Sequence, residues 1–172
     1  PQNIFFADIT KSSLENFINQ ARQSQGLSVL IENPKLSQAA KLKAENMVKD
    51  QYFNHTSPTG VTPWFWFLQA GYKYKYAGEN LAVGFYESEE VYRAWLDSPS
   101  HRANILNPNY TEVGTAVLRG FGQNNAILVV QDFGSPLLSK TVVTLKNNQK
   151  PVVTQPIQPT QPINNNEKVL SQ

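Results

Sequence analysis

The chain has 172 residues, enough for one domain with a packed core. Fifteen Lys and Arg stand against thirteen Asp and Glu, and beyond Ser135 lie four of those lysines with a single acid, Glu167, so the body is close to neutral. That balance leaves no basic stripe to track a phosphate backbone, which argues against nucleic acid as a partner, and the absence of cysteine excludes disulfides, thiolate metal centres and thiol catalysis.

The first predicted helix is "SSLENFINQARQSQG". Ser12 and Glu15 have the spacing of a capping box, Leu14, Phe17, Ile18 and Ala21 share a face, and Gly26 closes the segment. The second is "NPKLSQAAKLKAENMVKDQYF", with Asn33 as N-cap and Pro34 as first helical residue. Its apolar stripe of Leu36, Ala39, Ala40, Met47 and Val48 has one polar interruption, Lys43. "TPWFWFLQAGY" repeats the start signal with Thr62 and Pro63 and ends at Gly71. "SEEVYRAWLDS" is a fourth helix capped by Ser88 with acids at its positive end. "SPSHRANILNP" is a short helical turn stopped by Pro108.

Three strands are predicted: "GENLAVG", and "EVGTAVLRG" and "NAILVVQDFG" flanking the hairpin loop "GFGQNN". Helices around a few antiparallel strands make an α+β domain. The tyrosines and lysines of "YKYKYAGEN" alternate as an amphipathic lead-in to a strand. Residues 1–12 read as a lead-in, 13–136 as the domain and 137–172 as a flexible extension rich in Pro, Gln and Asn. A further strand is read in "LLSKTVVTLKNNQK". No apolar run is long enough to span a bilayer. The start at Pro1 raises the expectation of a signal or anchor segment removed upstream.

Four stretches in a set order, "FNHTSPTG", "AGENLAVG", "DSPSHRANILNP" and "YTEVGTAV", resemble the SCP domain of the CAP superfamily, in its cysteine-free bacterial branch. The resemblance covers about Leu14 to Phe133. It implies a three-layer α-β-α sandwich with a small central antiparallel sheet and a cleft lined by histidines and glutamates. It carries the family's first histidine over to His55, the glutamate of "GEN" to Glu79 and the second histidine to His101. The family's second glutamate does not carry over: Ser98 occupies its register, and Asp97 lies one position off, about 100° round a helix. Glu112 is typical of the bacterial branch and, with Ser98, is a secondary cleft candidate.

Two neutral imidazoles and a carboxylate are a common ligand set for a divalent metal, zinc being favoured here, with water completing the shell. The same trio can hold a water for general-base work, which makes Glu79 the candidate catalytic residue. It can also be a hydrogen-bonded cluster that pins loops to the sheet. His55 and His101 are expected to face each other across one cleft with Glu79 between or beside them. Ser57, Ser98 and Ser100 sit by prolines and read as turn or cap chemistry, with no nucleophile-elbow pattern. In "WFWF", Trp64, Phe67 and Leu68 are assigned to the core and Phe65 or Trp66 to the surface, as an ordinary exposed aromatic or a binding patch.

The function expected is that of an exported bacterial SCP-domain protein, a non-enzymatic extracellular or cell-envelope binding module, monomeric, whose cleft can hold a divalent metal. The rivals are a metal- or water-dependent hydrolase acting on envelope peptide or glycan, and a structural surface domain with an inert cleft.

Overall fold

Thr10 sets where the helical part of the chain begins. It is extended (φ −124°, ψ 146°), and its hydroxyl accepts a hydrogen bond from the Ser13 amide. Helix α1 therefore runs Lys11–Ser24, and the expected capping box of Ser12 and Glu15 does not form. Glu15 instead turns inward, where burial pushes its carboxyl above the usual range. The computed structural model describes residues 8–137. The extension from 138 onward, including the strand considered there, lies outside the described residues.

After α1 the elements are β1 (Ile31–Glu32), α2 (Pro34–Asp50), α3 (Pro63–Gln69), β2 (Tyr74–Val83), α4 (Ser88–Asp97), α5 (Pro99–Ile105), β3 (Glu112–Phe121) and β4 (Ala126–Pro136). Asn33 and Pro34 open α2 as the sequence predicts, with the Asn33 side chain accepting from the Lys35 amide. The cap of α4 is one residue earlier than expected. Glu87 is the N-cap, and the Glu90 carboxylate accepts from its amide. Ser88 is buried; its hydroxyl accepts from the Thr10 amide at 3.0 Å and so ties α4 to the entry of α1.

Among the described residues the sheet has four strands in the order β1-β3-β4-β2. β4 pairs antiparallel with both β2 and β3. The two-residue β1 pairs parallel with β3, so the sheet is mixed rather than wholly antiparallel. A two-residue strand carries no periodicity of its own, which is why the sequence does not announce it.

The α+β three-layer architecture stands. Alternation along β4 sends Ile127, Val129 and Phe133 into one cluster with α1, α4 and α5, around the fully buried Trp95. Leu128 and Val130 go to the other face, against Ala40, Ala44 and Met47 of α2. Helix α2 lies very close to β3: a Cβ at Gly114 would sit 2.1 Å from the Ser37 amide nitrogen. Arg22 locks the first layer, donating to the carbonyls of Ser28, Ile105, Asn107 and Tyr110 from a position 1% exposed.

Helix α3 corrects one assignment. Phe67 is fully buried and Trp64 half-buried, but Leu68 is 59% exposed and Phe65 43% exposed. Phe67 takes the core position with Leu36 and Ala39 of α2, and its neighbour Leu68, about 100° round, is turned out. Trp66 is half-buried against Leu36, Ala39, Phe67 and Tyr72.

Candidate functional site

The loop after α2 presents His55, and Lys43 holds that loop. Gln51 ends α2 in the left-handed conformation (φ 51°), and its side-chain oxygen accepts from the Gly122 amide at 2.9 Å. The chain then folds back over the middle of the helix. Lys43, fully buried, donates from Nζ to the carbonyls of His55 (2.6 Å) and Asn54 (2.9 Å) and to the Tyr52 hydroxyl (3.3 Å). Its ammonium also lies 4.9 Å from the centre of the Tyr52 ring. Burial lowers its pKa, with Glu79 and Asp132 acting in the opposite direction. The polar interruption of the α2 stripe is thus the anchor of the His55 loop.

His55 Nδ1 lies 2.7 Å from Glu79 Oε1, with side-chain exposures of 12% and 2%. An ionised carboxylate only accepts, so opposite an ionised Glu79 it is His55 Nδ1–H that donates. The same loop forms a cleft of about 530 Å³ lined by Tyr52, Phe53, Asn54, Thr56, Ser57 and Pro58, with neither His55 nor Glu79 in its lining. Ser57 is turn chemistry, its hydroxyl accepting from the Val61 amide at 3.0 Å.

Helix α5, which carries His101, packs on the other face of the sheet, where its Ile105 joins Ala82 and Trp95 in one cluster. His101 is 2% exposed, and its Nδ1 lies 2.7 Å from Ser98 Oγ. Its carbonyl accepts from Asn80 Nδ2 at 3.2 Å. Asn104 then donates to Asn80 Oδ1 (2.9 Å) and to the Glu79 carbonyl (3.2 Å). Glu79 and Asn80 are consecutive strand residues, so their side chains leave β2 on opposite faces. One strand therefore serves both histidines: Glu79 binds the ring of His55, and Asn80 binds the backbone of His101. Glu112 sits apart at the start of β3, where its carboxylate accepts from Tyr72 at 2.6 Å. Phe65 and Trp66 pack edge to face on α3, their ring centres 5.0 Å apart.

Among the described residues, no group of three or more His, Asp or Glu is close enough to hold a metal ion.

The profile described as "CAP: Cysteine-rich secretory protein family" matches residues 15–133. The chain belongs to this family. It is 41% identical over 116 residues to the uncharacterized protein YkwD of Bacillus subtilis, covering 67% of this chain and 44% of YkwD. The chain thus spans less than half the length of that relative. An outer surface protein of Borrelia burgdorferi superposes with a TM-score of 0.67 at 27% identity, over 74% of this chain and 96% of that one. An extracellular SCP-domain protein of Bacillus anthracis superposes with a TM-score of 0.63 at 25% identity, over 72% of this chain and 39% of its own.

Two site residues escape a motif-based reading. Lys43 shows in the sequence only as a cation in an apolar stripe. Asp132 of "VVQDFG" shows only as an acid in an otherwise apolar strand, and it is 1% exposed.

Proposed function

We propose that this CAP domain is an exported ligand-binding module of the cell surface or extracellular space, with its site at the His55–Glu79 dyad and the adjoining cleft. The 2.7 Å dyad is the observation that carries the reading. A buried carboxylate that holds one imidazole nitrogen fixes the orientation of the ring, and the cleft belongs to the same loop. Export is supported by the surface and extracellular relatives. Among the described residues no helix is long and apolar enough to cross a membrane. The ligand class proposed is envelope glycan or peptide, whose hydroxyls and amides suit an imidazole beside Tyr52 and Phe53.

The test is an amide NMR titration of the domain with soluble cell-wall glycopeptide fragments, repeated on His55→Ala. Saturable shifts confined to residues 52–58 and 79, lost in His55→Ala, are expected. Shifts that are absent, or identical in the variant, overturn the site.

The dyad also favours a second reading, water-dependent hydrolysis with His55 as general base positioned by Glu79. Ser57 is held in its turn, so the attacking group would be water. Mass-spectrometric release of cleaved fragments, abolished by His55→Ala, distinguishes this reading from binding alone.

A further inference from the structure

Helix α3 turns an uncharged face to solvent. Its sequence, "PWFWFLQ", holds four consecutive aromatic rings and no charged side chain. Of the four rings only Phe67 is fully buried. Phe65, 43% exposed, and Leu68, 59% exposed, stand three residues apart and share one side of the helix. Trp64, one turn before Leu68, and Trp66, whose ring centre is 5.0 Å from that of Phe65, flank them and are half-buried.

The described part of the chain ends beside this face. Pro136, the last residue of β4, pairs with Tyr74. The Tyr74 ring lies 6.0 Å from that of Trp64 and 5.6 Å from that of Phe67. The next amide, that of Leu137, donates to the Lys73 carbonyl at 2.9 Å, and the Leu137 side chain is 54% exposed. The chain from 138 onward therefore starts next to α3.

That part of the sequence contains a segment whose chemistry matches the face. "PIQPTQP" sets Pro156, Pro159 and Pro162 three residues apart. A polyproline II helix has three residues per turn, so this spacing aligns three proline rings on one side. Residues 151–163 carry no charge, as α3 carries none. Aromatic surfaces take such segments at low entropic cost, because each proline fixes its own φ. Pro156 lies nineteen residues beyond Leu137, and a tether of that length reaches on the order of 25 Å. A tethered segment meets its own helix at a roughly millimolar effective concentration, which favours it over a second copy or a free peptide.

We propose that the exposed side of α3, made by Trp64, Phe65, Trp66 and Leu68, is the docking surface for the chain's own proline repeat, Pro156–Pro162. The three proline rings lie against the aromatic side chains, and the stretch after Leu137 spans the gap. The surface is formed by a different helix from the one that carries the His55 loop, so this docking is independent of ligand binding there.

The chain has no cysteine, so one placed just past the repeat, Asn165→Cys, takes a nitroxide label at a single position. The experiment measures paramagnetic broadening of backbone amides in the full chain. Broadening concentrated on residues 64–69, and weak on residues 88–97 of α4, is expected. It should fall at least twofold in Phe65→Gln with Leu68→Gln, and again when Pro156, Pro159 and Pro162 are all changed to Ala. Both helix positions are exposed, so the fold should survive, and an unmoved Trp95 indole N–H, bonded to the Leu81 carbonyl, verifies that it has. Broadening spread evenly over the domain, or unchanged by either set of substitutions, overturns the proposal. A mixture of isotope-labelled chain with spin-labelled, isotope-free chain should show none of the α3 broadening. Its appearance there would give the face to a second copy and overturn docking within one chain.

Discussion

Lys43→Met removes one charge and three donors while keeping an unbranched stem in the α2–sheet interface. In the wild type the ammonium satisfies the carbonyls of Asn54 and His55 and the oxygen of Tyr52. Methionine leaves those oxygens facing an apolar tip. An orphaned buried acceptor costs about 1–3 kcal/mol. The packing that methionine retains offsets part of this, and the loop can relax toward water. The expected loss is about 3 kcal/mol, or roughly 10 °C in Tm for a domain of this size. The assay is urea unfolding of both proteins, with a lower midpoint and an unchanged slope. A second readout belongs to the site rather than to stability. The His55 ring resonances should broaden or split as the loop loses its anchor, while the Trp95 indole N–H, bonded to the Leu81 carbonyl in the other layer, stays put. A loss below about 1 kcal/mol with an unchanged His55 signal would refute the anchoring role, because it would mean the three oxygens find water at no cost.

Phe65→Gln and Leu68→Gln should each change stability by no more than about 0.5 kcal/mol, whereas Phe67→Ala should cost about 3–5 kcal/mol; chemical denaturation of the three variants checks the helix phase. Burial pushes the Tyr52 and Tyr110 hydroxyls up to about 12, from an ordinary 10.0. The folded state keeps these protons when the unfolded chain has lost them, so their contribution is complete below about pH 10 and disappears as pH rises toward 12; melts from pH 9 to 12, with tyrosinate absorbance, should show falling Tm in that window. Calorimetric titration with zinc decides the metal expectation. If His55, Glu79 and His101 share one ion, His101→Ala should lose at least tenfold in zinc affinity, worth about 1.4 kcal/mol, and a change within about twofold would remove the shared site.

The helices were legible because their signals are local. Asn33-Pro34 opens α2, Gly71 ends α3, and the 3.6-residue stripe of α2 marks the side that meets the sheet. Where two local signals competed, the fold chose on tertiary grounds. Thr10 displaced Ser12 as a cap because its amide also reaches Ser88, 78 residues away. Glu87 displaced Ser88 because Ser88 was needed for that same contact. Neither contact can be read from a window of ten residues.

The site was legible in part for the same reason. The motif around His55 and the "GEN" strand are local, and their pairing at 2.7 Å follows the resemblance. What motifs do not encode is the side of the sheet that a residue serves. Glu79 and Asn80 are adjacent in sequence and leave on opposite faces, one meeting the His55 ring and the other meeting the His101 carbonyl and Asn104. Asp132 was hidden by register, which depends on pairing across more than fifty residues. Alternation along β4 would assign its position, two beyond Val130, to an aliphatic side chain against α2. An acid there, opposite another acid and with no donor of its own, contradicts the local pattern. Such a contradiction is retained in a folded core only where the charges answer one another, and the groups that answer here are Lys43, Glu79 and His55.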